Sequence, residues 1–175
     1  MAGLPLVETL QNLAKGFSNI ISGGGNPRAY DVEKDEVIEA YGPDRPVTKK
    51  EYDADKITRM IMTEAYGNSN EWEAMTNVIL NRFEDYKNYK PNKKGGKTKV
   101  EKLITGEDQF KGLKDNKERY DNPFGETGGE EKYFDIHEVD TEVLEGNRGD
   151  NTGGATFFRK KKNKKGKKIG DHWYY

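Results

Sequence analysis

Between Ile57 and Phe83 the chain carries two helical periods joined by a short turn, and no other stretch constrains the fold as tightly. In the first period Ile57, Met60, Ile61 and Ala65 recur at helical spacing and form one apolar stripe. Asp53 is placed to cap this helix, Tyr52 to staple onto Ile57, and Gly67 to end it after Tyr66. The turn is Gly67-Asn68-Ser69-Asn70. Asn70 reads as the cap of a second helix with Glu73 in the capping-box position, and Trp72, Met75, Thr76, Ile79 and Phe83 share its inner face. Two such helices with so little chain between them make a helical hairpin.

One member of the first stripe is not apolar. Glu64 follows Met60 by one helical turn and therefore points into the face that packs. A carboxylate there has two uses. It can pair with a buried arginine, for which Arg59 and Arg82 are available, or cap a neighbouring helix. It can also serve as a general acid, because burial penalises the charged form and raises the pKa from its ordinary value of about 4.3. An acid of that kind is what glycosidic bond cleavage requires. The surroundings suit a sugar: Asn68, Ser69 and Asn70 lie in the turn, and Asn77 and Asn81 follow on the second helix.

Composition narrows the alternatives. Charged residues make up 35% of the chain and apolar ones 32%, so the core is small and loops are long. A net charge of -1 argues against a polyanion binder, and nucleic acid is not an expected partner. The absence of cysteine excludes disulfides, thiolate metal sites and a thiol nucleophile. His137 and His172 are the two histidines, too few for a multi-histidine metal site, so no metal and no cofactor is expected. No run is long and apolar enough to span a membrane. The opening residues carry Glu8 and Lys15 inside their apolar region and do not read as a secretory signal, so synthesis in a cytoplasm without a signal peptide is expected.

Three regions follow. Residues 1–25 read as an amphipathic helix or arm, with a heptad-like seam of Leu6, Leu10, Leu13, Phe17 and Ile20. It either packs on its own domain or docks on a partner, such as a second copy. Residues 26–50 hold three prolines and many charges and read as a linker with one short helix at 33–41. Residues 51–175 form the main domain. Within it 87–100 is a basic loop, VEKLITG is a short amphipathic stretch, and 115–132 is a Gly-, Asn- and acid-rich segment. A third helix is expected from Asp135 to Glu145, and ATFF and IGDHWYY read as two strands around a lysine-filled tip. That tip, residues 159–168, carries eight positive charges. It reads as a solvated hairpin end or as an attractor of anionic polymers, and it lacks interleaved aromatics for base stacking.

EAYG followed by NVILNRF, then DQF, then VLEGNRGDNTGGATFF, then IGDHWYY resembles the SleB-type cell-wall hydrolases, the spore-cortex lytic enzymes and relatives that include enzymes of phages. The ordered blocks cover about residues 53–175; the lysine-rich tip, the basic 87–100 segment and the expanded 115–132 segment depart from the family pattern. The resemblance implies an α+β, mainly helical, lysozyme-like fold with a short C-terminal hairpin or small sheet. It implies action on the glycan strands of peptidoglycan, at the β-1,4 bond between N-acetylmuramic acid and N-acetylglucosamine, by a protein carried to the wall, for instance in a virion. The family's catalytic glutamate falls on Glu64. Gln109 and Phe110 fall on the Gln-Phe element, Thr152, Gly153 and Gly154 on a strand facing the cleft, and His172 on the closing strand. Together with Asn68, Asn81 and Trp173 these are the expected substrate-binding residues; for Phe110 core packing, for Thr152 to Gly154 a tight turn, and for His172 a structural role are the alternatives. A hydrolase usually needs a second carboxylate, as base or nucleophile. Glu71, Glu107, Asp108, Asp150 and Asp171 all fall in expected turns and read as solvated, so the expected course is that of a lytic transglycosylase, with a water-using muramidase or an inactive virion protein as alternatives.

Overall fold

Thr48 starts a helix of 16 residues. Its hydroxyl accepts from Glu51 N at 3.2 Å, and the Glu51 carboxylate accepts from Thr48 N at 3.0 Å. This reciprocal capping box is worth about 1 kcal/mol. It places the helix start at Lys49, ahead of Asp53, the expected cap. Asp53 is instead fully buried and accepts a hydrogen bond from Thr98 Oγ1.

The computed structural model describes residues 37–40, 46–86, 98–106, 109–162 and 164–175. The arm expected at 1–25, most of the linker, residues 87–97 of the basic loop, Glu107 and Asp108 lie outside these. The described helices are α1 (Lys49–Glu64), α2 (Ser69–Glu84), α3 (Lys99–Thr105), α4 (Lys111–Asp115), α5 (Lys117–Asp121) and α6 (Gly129–Leu144). The strands are β1 (Val37–Ala40), β2 (Pro46–Thr48), β3 (Phe158–Arg159), β4 (Lys167–Ile169) and β5 (His172–Tyr174). The fold is α+β and mainly helical, as expected.

α1 is the axis of the molecule: α2, α3, α4, α5 and α6 all pack on it. Ile57, Met60, Ile61 and Met62 are each fully buried. Burial of a side chain of this size stabilises by about 1.5–3 kcal/mol. The helix is therefore buried all round rather than along the single stripe expected. A chain this poor in apolar residues manages that by pairing its buried polar groups. Asp55 accepts from Tyr133 Oη and Arg59 Nε, both at 2.7 Å, and Thr63 Oγ1 donates to Met60 O at 2.7 Å. Satisfied in this way, polar groups lose little on leaving water.

Several boundaries differ from expectation. Residues 37–40 form a strand where a short helix was expected at 33–41. β1 pairs antiparallel with β2, Val37 opposite Thr48, and this tertiary pairing outweighs a weak helical preference. α2 begins at Ser69 with Asn68 as its cap residue, so Asn70 lies inside the helix. α6 begins at Gly129, ahead of Asp135, because Tyr133 is already part of the core. The C-terminal element is the small sheet of the two expected forms, three-stranded and antiparallel in the order β3-β5-β4. Lys167 and Lys168, assigned to the lysine tip, belong to β4, which turns tightly into β5 through Gly170 and Asp171.

Asp140 ties α6 to the helical hairpin. It is fully buried and accepts from Thr58 Oγ1 at 2.8 Å and Thr76 Oγ1 at 2.5 Å. Burial raises its pKa from 3.8 to about 7, although both hydroxyls favour the charged form. The folded value lies above the unfolded one, so this contribution to stability is complete below 3.8 and disappears as pH rises through about 7. Its size is on the order of a few kcal/mol. Asp140→Asn should therefore gain on the wild type with rising pH: the difference in melting temperature, variant minus wild type, should be more positive at pH 8 than at pH 5. An equal difference at both values removes Asp140 as the source.

Candidate active site

Glu64 is the last residue of α1, and Ala65 closes the helix with its N–H on Ile61 O. The side chain thus leaves the core at a helix end rather than in mid-helix. Its Oε1 accepts from Gly112 N, at the start of α4, at 2.5 Å. Among the described residues no arginine bonds Glu64: Arg59 holds Asp55 and the carbonyls of Tyr120 and Asp121, while Arg82 holds Gln109 and Thr156. Burial pushes the Glu64 pKa above its ordinary 4.5. The backbone N–H groups of Gly112 and Leu113 and the nearby His172 offset part of that rise.

The carboxyl borders a cavity of about 610 Å³ that also takes in Gln109, Phe110, Asp115 and His172. One buried cation organises the wall. Arg82, 3% exposed, donates from Nε to Thr156 O at 2.5 Å and from Nη1 to Gln109 Oε1 at 3.2 Å. Its guanidinium lies 5.0 Å from the Phe110 ring and 5.1 Å from the Phe157 ring. A planar, weakly hydrated cation suits such stacking. Arg82 therefore fixes the Gln-Phe element against the start of the sheet.

Gly112 was not singled out in the sequence, although the sole glycine of QFKGL is a visible signal. A Cβ there would lie 2.5 Å from Thr63 O and 2.7 Å from Glu64 Cδ. No other residue lets α4 approach the carboxyl this closely. Gly112→Ala should displace α4 and lose about 10²-fold in wall-degrading rate, while circular dichroism keeps its helical signal; unchanged activity would show that the close approach is dispensable.

His172 is reached by a second buried carboxylate, and this corrects the expectation that Glu71 is solvated. Glu71 is 1% exposed. Its Oε1 accepts from Asp171 N at 2.6 Å, from His172 N at 2.8 Å and from His172 Nδ1 at 2.8 Å. The physical reason is the earlier start of α2. With Asn68 as cap, Glu71 sits in the first turn, where the helix dipole favours an anion and the β4–β5 turn packs its N–H groups against it. The His172 ring stands edge-on to Phe158 at 5.2 Å and forms part of the cavity wall.

The remaining expected residues are distributed elsewhere. Thr152, Gly153 and Gly154 line a second concavity of about 450 Å³ with Tyr174 and Tyr175. Asp150, read as solvated, is half-buried and builds their turn: it accepts from Thr152 N at 2.8 Å, Thr152 Oγ1 at 2.6 Å and Gly154 N at 2.6 Å. Asn81 is buried behind it and donates to Ala155 O at 2.9 Å. Asn68 occupies the N-cap position of α2 beside Gly170, without a side-chain capping bond, and Trp173 lies half-buried on the sheet. The structure thus brings together Glu64, Gln109, Phe110 and His172, and adds Gly112, Glu71, Arg82 and Asp115. Among the described residues no cluster of acidic and histidine side chains could hold a metal ion, and no helix is long and apolar enough to cross a membrane.

The Cell Wall Hydrolase family model matches residues 68–175. The match begins just after Glu64 and takes in the rest of the cavity wall apart from Thr63. No curated protein and no solved structure matches the chain.

Proposed function

Since the chain belongs to the Cell Wall Hydrolase family, and so to enzymes that degrade the wall, we propose that it is a lytic transglycosylase with Glu64 as its acid. The observation that carries this is one carboxyl at a cavity wall, raised in pKa by burial and held by the Gly112 N–H rather than by a cation. A carboxyl whose pKa is raised by burial keeps its proton to higher pH than a solvated one and can still ionise in turn, as a general acid must.

In the first step the Glu64 proton passes to the glycosidic oxygen as the bond from the muramyl C1 breaks and the N-acetylglucosamine alcohol leaves. Positive charge gathers on the muramyl ring, facing a newly formed carboxylate. The Gly112 and Leu113 N–H groups and His172 favour that anion. In the second step the Glu64 carboxylate takes the proton of the muramyl 6-hydroxyl, whose oxygen bonds to C1 and closes a 1,6-anhydro ring. The carboxyl ends protonated, and no water is consumed.

One observation favours the water-using course. Asp115 lines the same cavity and is a second carboxylate. It is exposed and lies 3.9 Å from Lys111 Nζ, so it is solvated and not fixed by a buried partner. Mass spectrometry of products from purified peptidoglycan separates the two. Anhydromuramyl ends, at a rate that Asp115→Asn leaves unchanged, support the transglycosylase. Reducing muramyl ends, with a large loss in Asp115→Asn, identify a muramidase.

A further inference from the structure

The short C-terminal sheet has two faces of opposite character. Successive residues of a strand alternate between faces, and directly opposed residues share one. Phe158 is opposite Tyr174, and Ile169 is opposite His172. This face is turned to the core: Tyr174 and His172 are buried, and Phe158 and Ile169 pack against the apolar cluster.

The other face carries Trp173, with Arg159 opposite it on one side and Lys168 on the other. The ladder continues one pair further, because Phe157 and Tyr175 exchange both backbone hydrogen bonds at 2.9 Å. Their rings stack at 6.0 Å with planes 22° apart. The Arg159 guanidinium lies 5.2 Å from the Tyr175 ring, and Lys162 Nζ lies 5.9 Å from the Trp173 ring. Phe157 is 44% exposed and Tyr175 37%. The result is a strip of three aromatic rings interleaved with cations. Pairing across the strands creates it; along the sequence the lysines and the aromatics stand apart.

The strip is continuous with the site. Phe157 and Arg159 line the Glu64 cavity, and Tyr175 lines the concavity of Thr152, Gly153 and Gly154. We propose that the outer face of the β3-β5-β4 sheet extends the glycan site beyond the cleavage cavity, starting from Phe157 and Arg159 at the cavity wall, with sugar rings on Phe157, Tyr175 and Trp173 and the carboxylates of the peptide-bearing sugars on Arg159, Lys162 and Lys168. This rests on the reading of the chain as an enzyme of wall glycan. Sugar rings have flat C–H faces that bury apolar area on an aromatic ring. Muramyl units bearing peptides add anionic groups, which the cations attract. Phe157 and Tyr175 are already packed against each other, so little of their side-chain freedom is lost on binding.

The test uses Glu64→Gln as a background that binds without turnover. Affinity for purified, uncross-linked glycan strands is measured by calorimetry, beside a tetrasaccharide fragment and a single-stranded DNA of matched length. Adding Phe157→Ala and Tyr175→Ala should weaken long-strand binding by tenfold or more and reduce the advantage of strands over the tetrasaccharide. Adding Arg159→Ser, Lys162→Ser and Lys168→Ser should weaken strand binding at low salt and matter little at high salt, because exposed charges are screened. If the aromatic variant melts early, the charge variant decides alone. Unchanged strand affinity, or tighter binding of DNA than of glycan, overturns the proposal. Strip-dependent strand binding by a protein whose wild type yields no cleavage products supports the strip and removes both the transglycosylase and the muramidase readings.

Discussion

Glu64→Gln is expected to leave a folded protein that degrades peptidoglycan 10²- to 10⁴-fold more slowly, the range typical of losing a general acid. Glutamine has the same shape, and its carbonyl can still accept from Gly112 N, which now bonds Glu64 Oε1 at 2.5 Å. Removal of the charge also lifts the desolvation cost that raises the Glu64 pKa, so stability should hold or rise slightly. What the variant lacks is the proton. The pH profile gives a second check with a definite sign. The acid must be protonated to act, so the wild-type rate should fall as pH rises through the Glu64 pKa, with a midpoint above the ordinary 4.5. The residual rate of Glu64→Gln should lose that descending limb. A loss below tenfold, or an unchanged limb, would mean that another group supplies the proton.

The part of this site that could be read in the sequence is the part encoded by local period. Glu64 stands out because it interrupts an apolar helical stripe, and the helical hairpin follows from Ile57 to Ala65 and Trp72 to Phe83. The expectation of a mainly helical α+β fold came from resemblance, and the architecture agrees with it. What could not be read depends on distant chain segments. Glu71 follows a turn and precedes a tryptophan, as a solvated residue does; only the β4–β5 turn arriving from a hundred residues further on makes it a buried acceptor. Gly112 owes its importance to the end of α1 lying against it. The all-round burial of α1 is invisible for the same reason, since Asp53, Asp55 and Thr58 look like solvent-facing residues until Thr98, Tyr133 and Asp140 are placed beside them. β4 begins with two lysines, and cross-strand pairing, not propensity, makes it a strand.

The second large effect is expected at Glu71. One oxygen of this side chain accepts from two backbone N–H groups and one imidazole nitrogen. Glu71→Ala would leave those donors without an acceptor in a place where Glu71 is 1% and His172 5% exposed. Breaking a buried charged contact of this kind costs about 3–5 kcal/mol, which for a domain of this size lowers the melting temperature by roughly 10–20 °C. Glu71→Gln keeps an acceptor at the same position and should lose much less. Gly170→Ala attacks the same latch from the other side. Gly170 has φ +55, and a Cβ there would lie 2.5 Å from Glu71 Cγ and 2.5 Å from Asn68 Nδ2. Because both changes release one turn, their effects should fall short of additive in a double-mutant cycle. Activity separates a latch that shapes the cleft from one that only holds the sheet. Measured well below every melting point, Glu71→Ala should still lose rate, since the His172 ring it orients is part of the cavity wall, and Glu71→Gln should recover most of it. A Glu71→Ala protein that melts within about 2 °C of the wild type, on the scale where 1 kcal/mol moves the melting temperature by several degrees, would show that the three hydrogen bonds do not hold the sheet to the hairpin. A destabilised variant with full activity at low temperature would leave Glu71 as a fastening for β5 and remove it from the setting of His172.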